Sequence, residues 1–341
     1  FPSEEGAHFG SSREKLRHAS ENGAIGFVTI STPTAEKVRP YQNLLNYIHT
    51  PTVRWLDNDG KPSGVYPKIN GSAYFSKEAA ELVFADAQQN LEQIYGMLEK
   101  DESPKGFDLP MEIQLESKST HKAISSPNVA AILEGSDPSL KNEYIVYSAH
   151  SDHLGFAKTV KKDKINNGAM DNASGTSVLM ETARLLSQLD ERPKRSILFV
   201  AVTGEEKGLL GSDYFAQNPT VPMGSMVANV NLDMPILTYE FNDVIAFGAN
   251  HSDMKSSVAK AAEKIGLELS PDPMPDQALF TRSDHYSFVK QGIPSVFLMS
   301  GFKSADPDID GGKQFSHFLK TNYHKPSDDF NQAFNWKAAT K

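Results

Sequence analysis

Apolar residues fall in short blocks along the second half of the chain, and the spacing within each block predicts its structure. Residues 196–202 form an almost unbroken apolar run bounded by polar residues, the pattern of a strand buried on both faces. Residues 144–149, 226–232, 244–247 and 295–298 repeat that signal. Between them, residues 174–189 carry Leu179, Ala183, Leu186 and Leu189 at helical spacing, and residues 254–265 read as another helix. Strand and helix in alternation predict a three-layer α/β domain with a mixed, largely parallel central sheet. In such sheets ligands gather at the carboxyl ends of the strands.

The first third reads differently. Residues 11–19 predict a short helix opened by Ser11, with Glu14 at capping-box spacing. Residues 26–30 have the length of a strand, and a Pro- and Asn-rich stretch follows to about Gly71. Ser76 then opens what reads as one long helix, with Ala80, Val83, Phe84, Ala87, Leu91, Ile94, Tyr95 and Leu98 on one face. Residues 101–110 are turn-rich, which puts a module boundary between 101 and 126. No internal repeat and no low-complexity segment is visible.

Composition narrows the function classes. A chain of 341 residues accommodates one large α/β domain and a smaller module. No apolar run approaches the roughly 18 to 20 residues needed to span a bilayer. A formal net charge of −9 without a basic stripe weighs against a nucleic-acid partner. There is no cysteine, so any metal must sit on His, Asp and Glu. Its absence also fits an oxidising, secreted or periplasmic setting. The chain opens Phe-Pro-Ser, which reads as a processed form or a fragment.

Five polar motifs sit where the strands end. In Ala149-His150-Ser151-Asp152-His153, an extended His-x-Asp puts both side chains on one face. One imidazole nitrogen can then take a metal while the carboxylate holds the other; the bland alternative is a strand closing in a polar turn. In Gly168-Ala169-Met170-Asp171-Asn172-Ala173-Ser174-Gly175, a carboxylate among small residues can approach two cations, or Asp171 and Asn172 can cap a helix. Asn172-Ala173-Ser174 also matches a glycosylation sequon, for which a buried metal loop has no room. Thr203-Gly204-Glu205-Glu206-Lys207-Gly208 follows the most apolar strand. Two adjacent carboxylates there repel unless a cation lies near, and the alternative is a solvated acidic turn. Asp233 ends another strand, and His324 lies in a late turn after Tyr323. Each motif alone is weak. Their conjunction supplies three ligands per metal with one shared carboxylate, the stoichiometry of a hydrolytic two-metal site.

Order and local sequence of these motifs resemble the two-zinc exopeptidases of metallopeptidase family twenty-eight, which includes leucyl-type aminopeptidases and the glutamate carboxypeptidase branch. The resemblance covers roughly residues 126–341. Residues 1–110 are similar to part of a protease-associated (PA) domain and a connecting helix, with the start of that insert and the preceding peptidase segment expected to be missing. The resemblance implies two Zn2+ ions bridged by Asp171, with His150 and Asp233 on one, and Glu206 and His324 on the other. It further implies Glu205 as proton shuttle, Asp152 as the carboxylate behind His150, and Tyr323 as a stabiliser of the developing oxyanion. Asp171–Asn172 becomes a candidate cis peptide. No ligand position departs from the pattern, which argues against relatives that have lost their zinc.

The implied activity is removal of amino-terminal residues from peptide substrates. A carboxypeptidase or dipeptidase needs a basic grip, for which Arg282 and Lys303 are available. A one-zinc glutaminyl cyclase and a non-catalytic PA-type binding ectodomain are further alternatives; a serine hydrolase is disfavoured by the lack of a Gly-x-Ser-x-Gly motif after a strand. Met234, Met299 and Phe302 are candidates for an apolar specificity pocket or for core, and residues 303–320 for a lid.

Overall fold

The computed structural model describes residues 3–45, 48–157 and 160–341. The chain divides into two compact units, Phe1–Ile124 and Ser125–Lys341.

In the first unit, α1 (Ser3–Gly10) and α2 (Ser12–Glu21) precede β1 (Gly26–Ile30), α3 (Pro33–Val38), α4 (Tyr41–Leu44), β2 (Gly71–Phe75), α5 (Lys77–Val83) and α6 (Leu91–Leu98). β1 and β2 pair in parallel. Ser11 caps α2 by accepting from the Glu14 amide at 3.3 Å, but the box is not completed. The Ser11 N–H is taken by His8 O at the end of α1, and the Glu14 carboxylate turns to Arg17. The single helix expected after Ser76 is two. Asn90 and Gln93 each accept from the other's backbone N–H at 2.9 Å, a full capping box that starts a new helix. Helical spacing survives the break because Ala80, Val83 and Leu91 are all buried.

The second unit is an α/β domain on a seven-stranded, mostly parallel sheet. Its elements are β3 (Val129–Leu133), β4 (Tyr144–His150), α7 (Gly175–Ser187), β5 (Ser196–Val202), α8 (Leu210–Gln217), β6 (Met226–Leu232), β7 (Asp243–Phe247), α9 (Met254–Lys264), β8 (Glu268–Ser270), α10 (His285–Val289), β9 (Ser295–Ser300), α11 (Gly311–Thr321) and α12 (Trp336–Ala339). The strand order is β3-β5-β4-β6-β9-β7-β8. β5, β4, β6 and β9 run parallel, while β3 and β7 run antiparallel to their neighbours β5 and β9. The pattern of apolar residues missed β3 and β8. β3 is an edge strand held by its ladder to β5, with Val129 and Ile132 exposed, so no buried face marks it; β8 has only three residues. Leu189, expected inward, is 48% exposed because α7 stops at Ser187. Residues 303–320 are not one open connection: α11 occupies their second half and buries Phe315 and Phe318 in the core.

Register decides what meets at the strand ends. His150 pairs with Val202, and Ser148 with Asn231, so the chain leaves β4, β5 and β6 at one level. Among the described residues no helix is long and apolar enough to cross a membrane.

Candidate metal centre

His150 is the last residue of β4 and Asp233 follows β6 directly. The His150 ring is 1% exposed; its Nε2 lies 3.3 Å from Asp171 Oδ1 and 3.4 Å from Asp233 Oδ1. On the other side, Nδ1 is 3.2 Å from the Asp152 carbonyl oxygen and 3.9 Å from the Asp152 carboxylate. An Nδ1–H donated to that carbonyl leaves the Nε2 lone pair facing the carboxylates. The Asp152 carboxylate also accepts from the Glu205 and Glu206 amides at 3.1 and 3.4 Å, tying the Glu-Glu turn to the end of β4.

Asp171 stands in a turn, Ala169–Ser174, whose backbone leaves helical geometry at Asp171 and Asn172, and the Asp171–Asn172 peptide is cis. Two side chains hold this turn. Asp328 accepts from the Met170 and Asp171 amides at 2.9 and 3.0 Å. Asn172 accepts from the Gly175 and Met234 amides and donates to Leu232 O, fastening the turn to the end of β6. Asn172 is therefore buried and fully engaged, with no room for sugar at the sequon. A Cβ at Gly175 would sit 2.2 Å from Asn172 Oδ1 and 2.5 Å from Leu232 O, so glycine alone fits this approach. Asp328→Ala would leave two buried amides unsatisfied and should destabilise the fold by on the order of 3 kcal/mol in denaturant unfolding. Asp328→Asn, which keeps one acceptor oxygen, should lose less.

Glu205 and Glu206 lie on a single tight turn after β5. Glu206 Oε2 is 3.1 Å from His324 Nε2, which is itself 3.3 Å from Asp171 Oδ2. The Tyr323 ring stacks on His324 at 3.7 Å. Two clusters thus share Asp171: one with His150 and Asp233, the other with Glu206 and His324. His153, to which the sequence pattern assigns no role, meets Glu206 Oε1 at 2.6 Å.

Sequence reasoning also misses a buried polar chain behind Asp233. Asn229 donates to Ser148, Ser148 to Asn231, Asn231 to Ser283, and Ser283 to Asp233 Oδ2 at 2.5 Å. Oδ2 is thereby fixed and Oδ1 left facing His150. Its only signal is polar residues inside otherwise apolar strands. Next to Ser283, fully buried Asp284 has its carboxyl pushed up to about 7 by burial. The field of His150 opposes that rise and Asp233 and Asp152 add to it. A folded pKa above the unfolded value means stability that is present at low pH and lost as pH rises from about 4 to about 7. In the metal-free chain Asp284→Asn removes that loss. Its stability relative to wild type should grow by on the order of 3 kcal/mol between pH 4.5 and 7.5 and then level off, as read by denaturant unfolding.

The cluster is short of positive charge. Burial lowers the basicity of His150 and His324, yet the surrounding carboxylates prevail and raise both, His324 to about 9. Burial raises Asp171, but the two imidazoles hold it well below the usual carboxylate range. Among the described residues no Lys or Arg pairs with Asp171, Glu206 or Asp233, and Asp233 Oδ1 and Glu206 Oε1 are buried without a hydrogen bond. Buried carboxylates in this state call for cations. Imidazole nitrogens and carboxylate oxygens are a donor set that suits divalent zinc, and two groups, His150-Asp171-Asp233 and His153-Asp171-Glu206, present donor atoms within 4.8 Å of one another.

His150, Asp171, Glu205 and Asp233 open on a small cavity of about 40 Å³, walled by Met234, Met299, Phe315, Tyr323 and Arg282. Phe302 is not on that wall; it packs on Phe315, 5.5 Å away. Lys303 is also elsewhere, paired with Glu268 at the surface.

Imidazoles and carboxylates converging at the carboxyl end of a mixed sheet give this α/β domain a candidate metal site. Residues 128–341 match the model of Peptidase family M28, and the chain belongs to that family. It is 31% identical to aminopeptidase YwaD of Bacillus subtilis (strain 168) over 197 residues, 55% of this chain and 37% of that protein. It is 30% identical to aminopeptidase NAALADL1 of Mus musculus over 142 residues, 40% of this chain and 17% of that one. The chain thus spans well under half the length of these curated relatives. Among solved structures, an aminopeptidase from Aneurinibacillus sp. strain AM-1 shares the fold, with a TM-score of 0.51 and 18% identity over 97% of this chain and 64% of that one.

Proposed function

We propose that this chain carries the active site of a two-zinc aminopeptidase. The observation that carries the reading is that Asp171 joins two ligand clusters, with Glu205 opening on the same cavity. His150 and Asp233 would hold one ion, Glu206 and His324 the other, and Asp171 both. Zinc so held supplies Lewis acidity and lowers the pKa of water toward about 7. The rest falls to the chain. Glu205, which nothing in the clusters ties down, takes a proton from water and returns it to the leaving nitrogen. Burial raises its carboxyl; His150 opposes this, and Asp284, Asp233 and Glu206 reinforce it, so the group sits well above its ordinary value and suits a proton shuttle. The Tyr323 phenol, also raised by burial, stays protonated and can donate to a carbonyl oxygen as it gains charge. In the same reading residues 126–341 are the peptidase domain and residues 1–110 part of a PA-like module.

An acidic site suits a free α-amino group. Acetylating the amino terminus of a tripeptide should then cut kcat/KM by tenfold to a hundredfold, the loss of one charge-assisted hydrogen bond or more. Amidating the carboxyl terminus should change it little. One observation favours a second reading: Arg282 is on the cavity wall, and its guanidinium makes no hydrogen bond or ion pair with another described residue. If it grips a substrate carboxylate, the amidated peptide is the one refused, the acetylated one is cleaved, and Arg282→Ala erases the difference. Kinetics on the free, acetylated and amidated peptides decide between the two ends.

A further inference from the structure

His153 lies beside the site but outside the set of residues that the proposed function uses. Its Nδ1 is 2.6 Å from Glu206 Oε1, whereas Glu206 Oε2 is the oxygen that meets His324. Both His153 nitrogens and Glu206 Oε1 are buried, and among the described residues none of the three has an aligned hydrogen bond, so the 2.6 Å approach of Nδ1 to Oε1 is the close polar contact they make. The ring stands edge-on to His324 at 5.8 Å. On another side it rests on Gly168, where a Cβ would come within 2.9 Å of His153 Cγ. Gly168 has φ +68° and opens the turn that carries Asp171, so a residue without a side chain makes room for the imidazole beside that turn.

We propose that His153 is a positioning residue of the metal centre, its Nδ1–H holding Glu206 Oε1 and so turning Oε2 toward Asp171 and His324. A carboxylate is free to rotate about its last torsion and can present either oxygen or neither. A charge-assisted contact on one oxygen removes that freedom and leaves the other as the ligand atom, the service that outer partners render to metal-binding carboxylates. Glu206 lies in a turn whose backbone Asp152 already holds; His153 would fix the far end of its side chain. Both anchors come from the one short run after β4.

The inference rests on the two-zinc reading, and its test separates the two. Zinc affinity is measured on the full chain by competition with a chromophoric chelator, for wild type, His153→Ala and His153→Asn. The Asn Nδ2 can donate from about the place of the imidazole Nδ1. Wild type should bind two ions. The Ala variant should keep one at wild-type affinity, which also reports an intact fold, and bind the second ten- to a hundredfold more weakly. The Asn variant should recover most of that loss. Two ions held equally tightly by wild type and the Ala variant would overturn the positioning role while leaving the two-zinc reading in place. An Asn variant as weak as Ala would overturn it too, being the result of direct ligation by the imidazole. If the Ala variant loses both ions, the Asn variant decides: near-wild-type binding supports the role and a weak second site defeats it. A wild type that binds fewer than two ions would end the two-zinc reading and this inference with it.

Discussion

Exhaustive chelation is expected to abolish peptide hydrolysis by this chain, and added zinc to restore it. There is no cysteine and no Gly-x-Ser-x-Gly motif, and among the described residues the polar groups facing the cavity are carboxylates, imidazole, phenol, guanidinium and the Ser283 hydroxyl, which is engaged as a donor to Asp233. What these can do unaided is bind and move protons. The metal-free chain should nevertheless stay folded at neutral pH. With the cations gone, protons take their place on His150 and His324, where the carboxylates favour them. The sign follows from the raised pKa of His324. Its contribution to stability is fully present below the unfolded value near 6.5 and is lost as pH rises toward about 9. Circular dichroism at pH 7 should therefore change little on chelation, and the chelated chain should become less stable as pH climbs toward 9. Below that pH, zinc must displace the proton, so rebinding should release protons to the buffer. Activity that survives with metal shown to be absent would defeat the proposed function.

Glu205→Gln should lower kcat by roughly a hundredfold to ten-thousandfold with little effect on KM, since the amide keeps the shape and loses the base. Both ions should remain bound, because no ligand has been altered. Its neighbour behaves differently. Glu206→Gln removes a charge from a buried ligand cluster and should show in metal content before it shows in anything else. Asp152 holds both amides of this turn, so the two variants share a backbone and differ only in which carboxylate is replaced. Metal analysis beside steady-state kinetics separates them. Equal metal content with equal losses of turnover would show that the two roles are misassigned, and near-normal kcat in Glu205→Gln would remove it as the proton shuttle.

The strand run at 196–202 was legible in the sequence because a strand covered on both faces is apolar almost throughout, and the run at 226–232 kept enough of that signal despite Asn229 and Asn231. The polar motifs after those strands were legible for a related reason. Carboxylates and imidazoles directly after buried strands need something to compensate them, and their order along the chain matched a known pattern. Other features depended on contacts between distant residues. The helix after Ser76 kept its apolar spacing across a break that only the Asn90-Gln93 cap created. β3 is a strand because β5 lies beside it. Asp328 and Ser283 hold the Asp171 turn and Asp233 from 157 and 50 residues away, so no local pattern could announce them. Arg282 and Lys303 were equal candidates in sequence, and packing put one on the cavity wall and the other in a surface pair. Residue types and periodicity therefore determined which chemistry was possible and on what kind of sheet. The register of β4, β5 and β6 decided which donor atoms meet, because a shift of one residue turns every side chain of a strand to the opposite face.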